Sequence, residues 1–175
     1  MPTAISRRCG KHGDHMPTHS DRQLVPYRPE QLFDLVADVA KYPQFLPWCA
    51  AARVRARTNT ALAADITIGF GPFREGFSSK VKLDRPSRIL VTYENGPFRH
   101  LMNSWDFHPD PAGCIVDFHV DFEFRSRILQ AAIGVVFHEA VRRMVGAFHK
   151  RARDIYGAPP KLPGLPHAPP APLNS

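Results

Sequence analysis

The sequence predicts an α+β fold, a curved antiparallel sheet of six to seven strands gripping one long C-terminal helix. Three observations carry this. Apolar and polar side chains alternate with a period of two through most of residues 51–124, the mark of strands with one dry and one wet face. The pattern then changes to the 3–4 spacing of a helix over residues 126–156. A sheet with one dry face and a helix with a matching apolar stripe must cover each other.

Each element has its own local reason. Residues 19–27 read as a first strand. Pro29 then stands where a first helical turn tolerates proline, and Leu32, Phe33, Leu35, Val36 and Val39 space out one buried face. In KYPQFLPWC, Pro43 and Pro47 break the chain into a short helical turn and a loop. The strands follow. Val54 and Ala56 alternate with Arg53, Arg55 and Arg57; Ala64, Ile66, Ile68 and Phe70 alternate with Asp65 and Thr67. Phe77, Ser79, Val81 and Leu83 alternate with Ser78, Lys80 and Lys82, and residues 89–94 and 100–108 supply two more strands. The clearest case is Val116, Phe118, Val120, Phe122 and Phe124 against Asp117, His119, Asp121 and Glu123. Turn signals separate them: Thr58-Asn59, Gly71-Pro72, Arg85-Pro86, Asn95-Gly96-Pro97 and residues 109–113. Ser126 offers an N-cap, Gly157 a stop, and Leu129, Ile133, Phe137, Ala140, Met144, Phe148 and Ile155 form the helix stripe.

The chain of 175 residues suits one domain, placed at residues 18–157. Residues 1–17 are expected to be a disordered or mis-assigned extension, since residues 1–15 are polar and aperiodic and Met16 offers a start leading directly into the first strand. Residues 158–175 are Pro-rich and are expected to be a disordered tail. No apolar run approaches the ~20 residues of a membrane-spanning helix, and the first fifteen residues lack the apolar stretch of a secretory signal. Of the net charge of +7, Arg7, Arg8, Lys11 and Lys161 against Asp14 place +3 in the tails. The remainder permits attraction to an anionic membrane or to RNA and selects neither. Cys9, Cys49 and Cys114 show no disulfide or zinc spacing and read as reduced thiols.

Catalytic signatures are missing: there is no nucleophile elbow, phosphate-binding glycine loop or H-E-x-x-H. Asp117, His119, Asp121 and Glu123 share the wet face of one strand and read as solvated. His138 and His149, eleven apart on the helix, cannot clasp one metal ion and read as surface or pocket-edge residues. His12, His15 and His19 fall in the expected disordered start. Arg53, Arg55 and Arg57 make a basic strand face without the interleaved aromatics of a nucleic-acid platform. No catalytic residue, metal site or DNA contact is expected.

What remains is inward-facing apolar bulk. The first half of the long helix (ILQAAIGVVF) is apolar nearly all round, more than one sheet can cover, whereas Arg142, Arg143, Lys150, Arg151 and Arg153 line the outer face of its second half. A cavity ligand, a protein partner, lipid, or packing under loops would each account for that surplus. Trp105 and Phe107 share a strand face with Leu101 and Asn103; Phe70, Phe73 and Phe77 flank one hairpin; Phe45, Leu46 and Trp48 sit in the loop after the first helix. Asn103 and Ser79, polar on apolar faces, are either groups that orient a ligand or core residues with internal partners. A space well below the ~300 Å³ of the smallest ligand pockets would favour packing.

The stretches VADVAKYPQFLPWC, FSSKVKLDRPSRI, GPFRHLMNSWDFHP, CIVDFHVDFEFRS and MVGAFHKRARDIYG resemble the coenzyme Q-binding family, START-like proteins of the polyketide cyclase superfamily. The likeness runs over residues 25–157. It implies a helix-grip fold with a hydrophobic cavity that binds ubiquinone or a related polyisoprenoid lipid without catalysis, supporting respiration and quinone synthesis. It implies work at the inner face of the respiratory membrane, on the cytoplasmic side, or the matrix side in a mitochondrion. Pro47, Trp48, Cys49, Val145 and Phe148 match family motif positions. Together with strand alternation this gives the expected ligand set: Phe45, Trp48, Phe70, Phe77, Val81, Leu101, Asn103, Trp105, Phe118, Phe122, Ile133, Phe137, Met144 and Phe148. A branch of the same family is a toxin that blocks association of ribosomal subunits, and the motifs do not separate the two.

Overall fold

The computed structural model describes residues 18–159. The expected N-terminal extension, and the expected tail from residue 160 onward, lie outside the described residues. The chain runs β1 (Thr18–Val25), α1 (Pro29–Ala37), a 3-10 segment (Val39–Gln44), β2 (Cys49–Arg57), β3 (Ala61–Phe70), β4 (Phe73–Asp84), β5 (Arg88–Asn95), β6 (Phe98–Asp110), β7 (Gly113–Phe124) and α2 (Arg127–Tyr156). Seven strands form one antiparallel sheet in the order β1-β7-β6-β5-β4-β3-β2. Strands β2 to β7 are the expected meander, and β1 pairs with β7 at the far edge. α2 packs against the dry face. This is the α+β helix-grip architecture.

Local chemistry sets the ends of the elements. Pro26 has no N–H to give the ladder, so β1 stops at Val25, two residues short of the expected end, and the Tyr27 amide turns back to Val25 O at 2.8 Å. His19 is part of β1, as the strand reading of residues 19–27 expects, and not of the disordered start with which His12 and His15 are grouped. Gly96 (φ +137) and Gly113 (φ +140) hold left-handed backbone at points of close approach; a Cβ on Gly113 would lie 2.3 Å from Val25 O. In β2 a register shift between Val54 and Ala56 breaks the alternation, and Ala56 is exposed rather than inward.

α2 is capped as its sequence requires. Ser126 Oγ accepts from Leu129 N at 3.3 Å, and Gly157 ends the helix with its amide on Arg153 O. Leu129, Phe137, Met144 and Phe148 of the expected stripe are buried, with Ile133 and Ala140 half-buried. Ile155 is a correction, at 49% exposed. In the last turns the buried face swings toward α1: Ala152 is buried, and Tyr156 Oη donates to Gln31 O at 2.9 Å. Tyr27 Oη donates to Gly157 O at 2.8 Å, so two phenols pin the C-terminal end of α2. α1 covers the sheet where β6 ends, with Phe33 edge-on to Phe107 at 5.9 Å. Toward the other end, the N-terminal half of α2 exposes Ile128 (77%) and Val135 (87%) on its outer side.

Candidate functional site

Between α2 and the concave face of the sheet lies a cavity of about 230 Å³. This is somewhat under, but not well below, the roughly 300 Å³ low end of ligand pockets, so the size does not call for packing alone. Strands β3 to β7 supply the floor, α2 the roof, and the 3-10 segment with its following loop one side.

Twelve of the fourteen residues expected from alternation and resemblance line this cavity: Trp48, Phe77, Val81, Leu101, Asn103, Trp105, Phe118, Phe122, Ile133, Phe137, Met144 and Phe148. Phe45 does not. It stands behind the wall, edge-on to Phe148 at 5.2 Å, with the Arg151 guanidinium 5.4 Å above its ring. The Phe70 side chain lies outside what is described. Of the other motif positions, Pro47 is exposed, Cys49 is buried, and Val145 lines a smaller neighbouring cavity. Sequence reasoning missed wall residues on β5 (Ile89, Val91), on the first helical segments (Val36, Val39, Tyr42), and Ala140 and Val141 on α2. Alternation along β5 was signal enough for Ile89 and Val91. Val36 and Val39 were legible as part of a buried helical face, but nothing in their spacing tells this cavity from the core under α1, and Tyr42 carries no such period.

The walls are apolar with a few polar groups, and several of these have no partner. Trp48 Nε1, Ser79 Oγ and Asn103 Oδ1 are buried without a hydrogen bond, as is Tyr93 Oη on the same face. Ser79 is 1% exposed, and its hydroxyl finds no protein acceptor. Among the described residues, the internal partners that a core role would give Asn103 Oδ1 and Ser79 Oγ are not found. Among the described lining residues none carries a carboxylate, imidazole or amine. The one ionisable group is Tyr42, whose phenol donates to Val36 O at 2.6 Å. Burial, then nearby Cys49 and Asp38, push it well above the ordinary phenol range, so it stays protonated.

A second cavity of about 50 Å³ shares Trp105, Phe118 and Phe148 with the first and reaches the seam between β1 and α2. There His149 Nε2 meets Gln23 Oε1 at 2.9 Å. Burial first, and then Arg153, lower the pKa of His149, while Asp21 opposes them. His149 is accordingly a pocket-edge residue; His138 is exposed, its ring 6.2 Å from that of His19. Among the described residues no three His, Cys, Asp or Glu side chains gather as metal ligands. Cys49 and Cys114 are buried free thiols, each pushed up to about 11 by burial.

The outer face of the sheet is charged and paired. Asp117 meets Arg22 and His108, both at 3.1 Å, Asp121 meets His100, and Glu123 meets Arg99 at 3.4 Å. Arg55 bonds Asp65 at 2.9 Å and also Glu94, and Arg57 donates to Ala37 O. Much of the expected basic strand face is therefore neutralised locally.

A family model described as polyketide cyclase / dehydrase and lipid transport matches residues 25–149. The chain belongs to this polyketide cyclase/dehydrase and lipid transport family. Among its relatives are the ribosome association toxin RatA of Escherichia coli, 38% identical over 82% of this chain and 91% of that protein. Another is the mitochondrial coenzyme Q-binding protein COQ10 homolog B of Xenopus laevis, 34% identical over 79% of this chain and 59% of that protein. Of solved structures, an 18 kDa protein of Caulobacter crescentus is 34% identical, with a TM-score of 0.68 over 82% of this chain and all of its own. A START superfamily protein of Mycobacterium smegmatis shares the fold at 17% identity, with a TM-score of 0.66 over 81% of this chain and 99% of its own. The polyketide cyclase superfamily and the START-like fold suspected from the motifs are both borne out. Among the described residues no helix is long and apolar enough to cross a membrane.

Proposed function

We propose that this polyketide cyclase/dehydrase and lipid transport family member is a carrier for ubiquinone or a related polyisoprenoid lipid, which α2 and the sheet enclose without catalysing its conversion. The observation that carries the reading is the cavity: apolar almost throughout, near the low end of ligand size, and holding buried polar atoms that no protein group serves. The coenzyme Q-binding name of a relative at 34% identity supports it. The carrier would serve respiratory electron transport and quinone synthesis from the inner face of the membrane. There the exposed Ile128 and Val135 would touch lipid, and basic residues such as Arg153 would meet anionic headgroups. The direct test is extraction of lipid from purified protein, identified by mass spectrometry. A bound quinone or polyprenyl lipid is expected; its absence, with no uptake when it is supplied, overturns the proposal.

A second reading follows from the RatA relative, whose printed name is ribosome association toxin. It predicts salt-sensitive binding of this chain to ribosomal subunits through Arg53, Arg55, Arg57 and the basic end of α2, weakened by charge reversal at those arginines. Unchanged subunit association at high protein concentration discards it.

A further inference from the structure

We propose that Asn103 sets the redox form of the ligand, and that the cavity prefers a ring bearing hydroxyl groups, a hydroquinone or phenol, over the carbonyl-only quinone. This rests on the lipid-carrier reading and deepens it.

Asn103 lies in the middle of β6 on the concave face, paired with Val91 on one side and Val120 on the other, between Leu101 and Trp105. Three of these neighbours are aliphatic and the fourth, Trp105, makes no hydrogen bond to the amide, so Oδ1 is buried without a partner. Ser79, two strands away on β4, has its hydroxyl in the same condition. An amide presents an acceptor and a donor, and its terminal torsion is soft enough to turn either end into the cavity. A quinone carbonyl only accepts. It serves the NH2 end and leaves the carbonyl end unpaired in an apolar wall. A ring hydroxyl donates to the carbonyl end and still accepts from the NH2. This holds whichever way the amide is turned. Trp48 Nε1, a pure donor, is served by any ligand oxygen and does not discriminate.

Both tryptophans of the chain, Trp48 and Trp105, line the cavity, so their fluorescence reports occupancy. The experiment titrates the full chain without oxygen, with decyl-ubiquinone and with the hydroquinone made from it by dithionite. The hydroquinone is expected to bind at least about tenfold more tightly, the discrimination of one unmade buried hydrogen bond. Asn103→Leu, close to isosteric, should bring the ratio of the two affinities to about one while keeping affinity for the decyl tail. Asn103→Ala, the smaller side chain should Asn103→Leu not fold, should likewise bring the ratio to about one, because it too removes the amide acceptor. Equal affinities in the unaltered chain, or a ratio that neither substitution changes, overturn the assignment of Asn103 while leaving the carrier reading standing. Binding of neither form overturns both.

Discussion

His149 joins the edge strand to the long helix at one point, and its chemistry has a consequence for pH. Its ring is half-buried at the seam of β1 and α2, bonded to Gln23, and its pKa is lowered mainly by burial. A base whose folded pKa lies below its unfolded value, near 6.5, favours folding while it is neutral. That contribution is complete above the unfolded value and is lost as the pH falls from there through the lowered folded one. Unfolding midpoints followed down from pH 7 should therefore drop more steeply for the parent chain than for His149→Gln. Parallel curves would remove His149 from the account. Sequence alone placed this residue at a surface or pocket edge; its partner is 126 positions away and only the fold brings Gln23 to it.

At the scale of elements, α2 carries the most. Its inner face repeats at helical spacing and was legible, because a stripe that must stay dry cannot change residue type freely. Its last turn was not, since the buried direction depends on α1 rather than on the sheet. Its outer face changes character along its length. Ile128 and Val135 stand exposed in the first half, whereas Arg142 and Arg143 pair with Glu139, and Lys150 with Asp154, in the second. Substituting both Ile128 and Val135 by Ser should leave thermal unfolding nearly unchanged, because exposed positions usually move stability by less than about 0.5 kcal/mol. Binding to vesicles of phosphatidylcholine and phosphatidylglycerol should fall roughly tenfold, as two apolar side chains lose their lipid contact. Vesicle binding that survives the double substitution would rule out this face as the membrane contact.

At the scale of the whole molecule, the cavity exists because α2 bridges a concave sheet rather than lying in it. Ala140 sits in the roof, one small side chain among large ones. Ala140→Phe should fill the space from above. The strain of inserting a large residue, typically about 1–3 kcal/mol in a packed core, is relieved where there is room. The variant is expected to stay folded by circular dichroism and to lose at least about tenfold in affinity for decyl-ubiquinone. A variant that folds and binds as before would place the ligand elsewhere.

The pattern of side chains by itself determined the order of elements, the wet and dry faces of the strands, both caps of α2 and a core set of twelve cavity-wall residues. These are local: alternation, capping and turn chemistry act within a few residues. It did not determine that Phe45 backs the wall instead of lining it, or that Asn103 and Ser79 lack partners. A side chain's hydrogen bonds and the space before it depend on strands far apart in sequence. So a polar residue on a dry face reads alike whether it is satisfied or not. The tertiary structure decided this, because only in the curved sheet do Val91 and Val120 flank Asn103 and offer it nothing to bond.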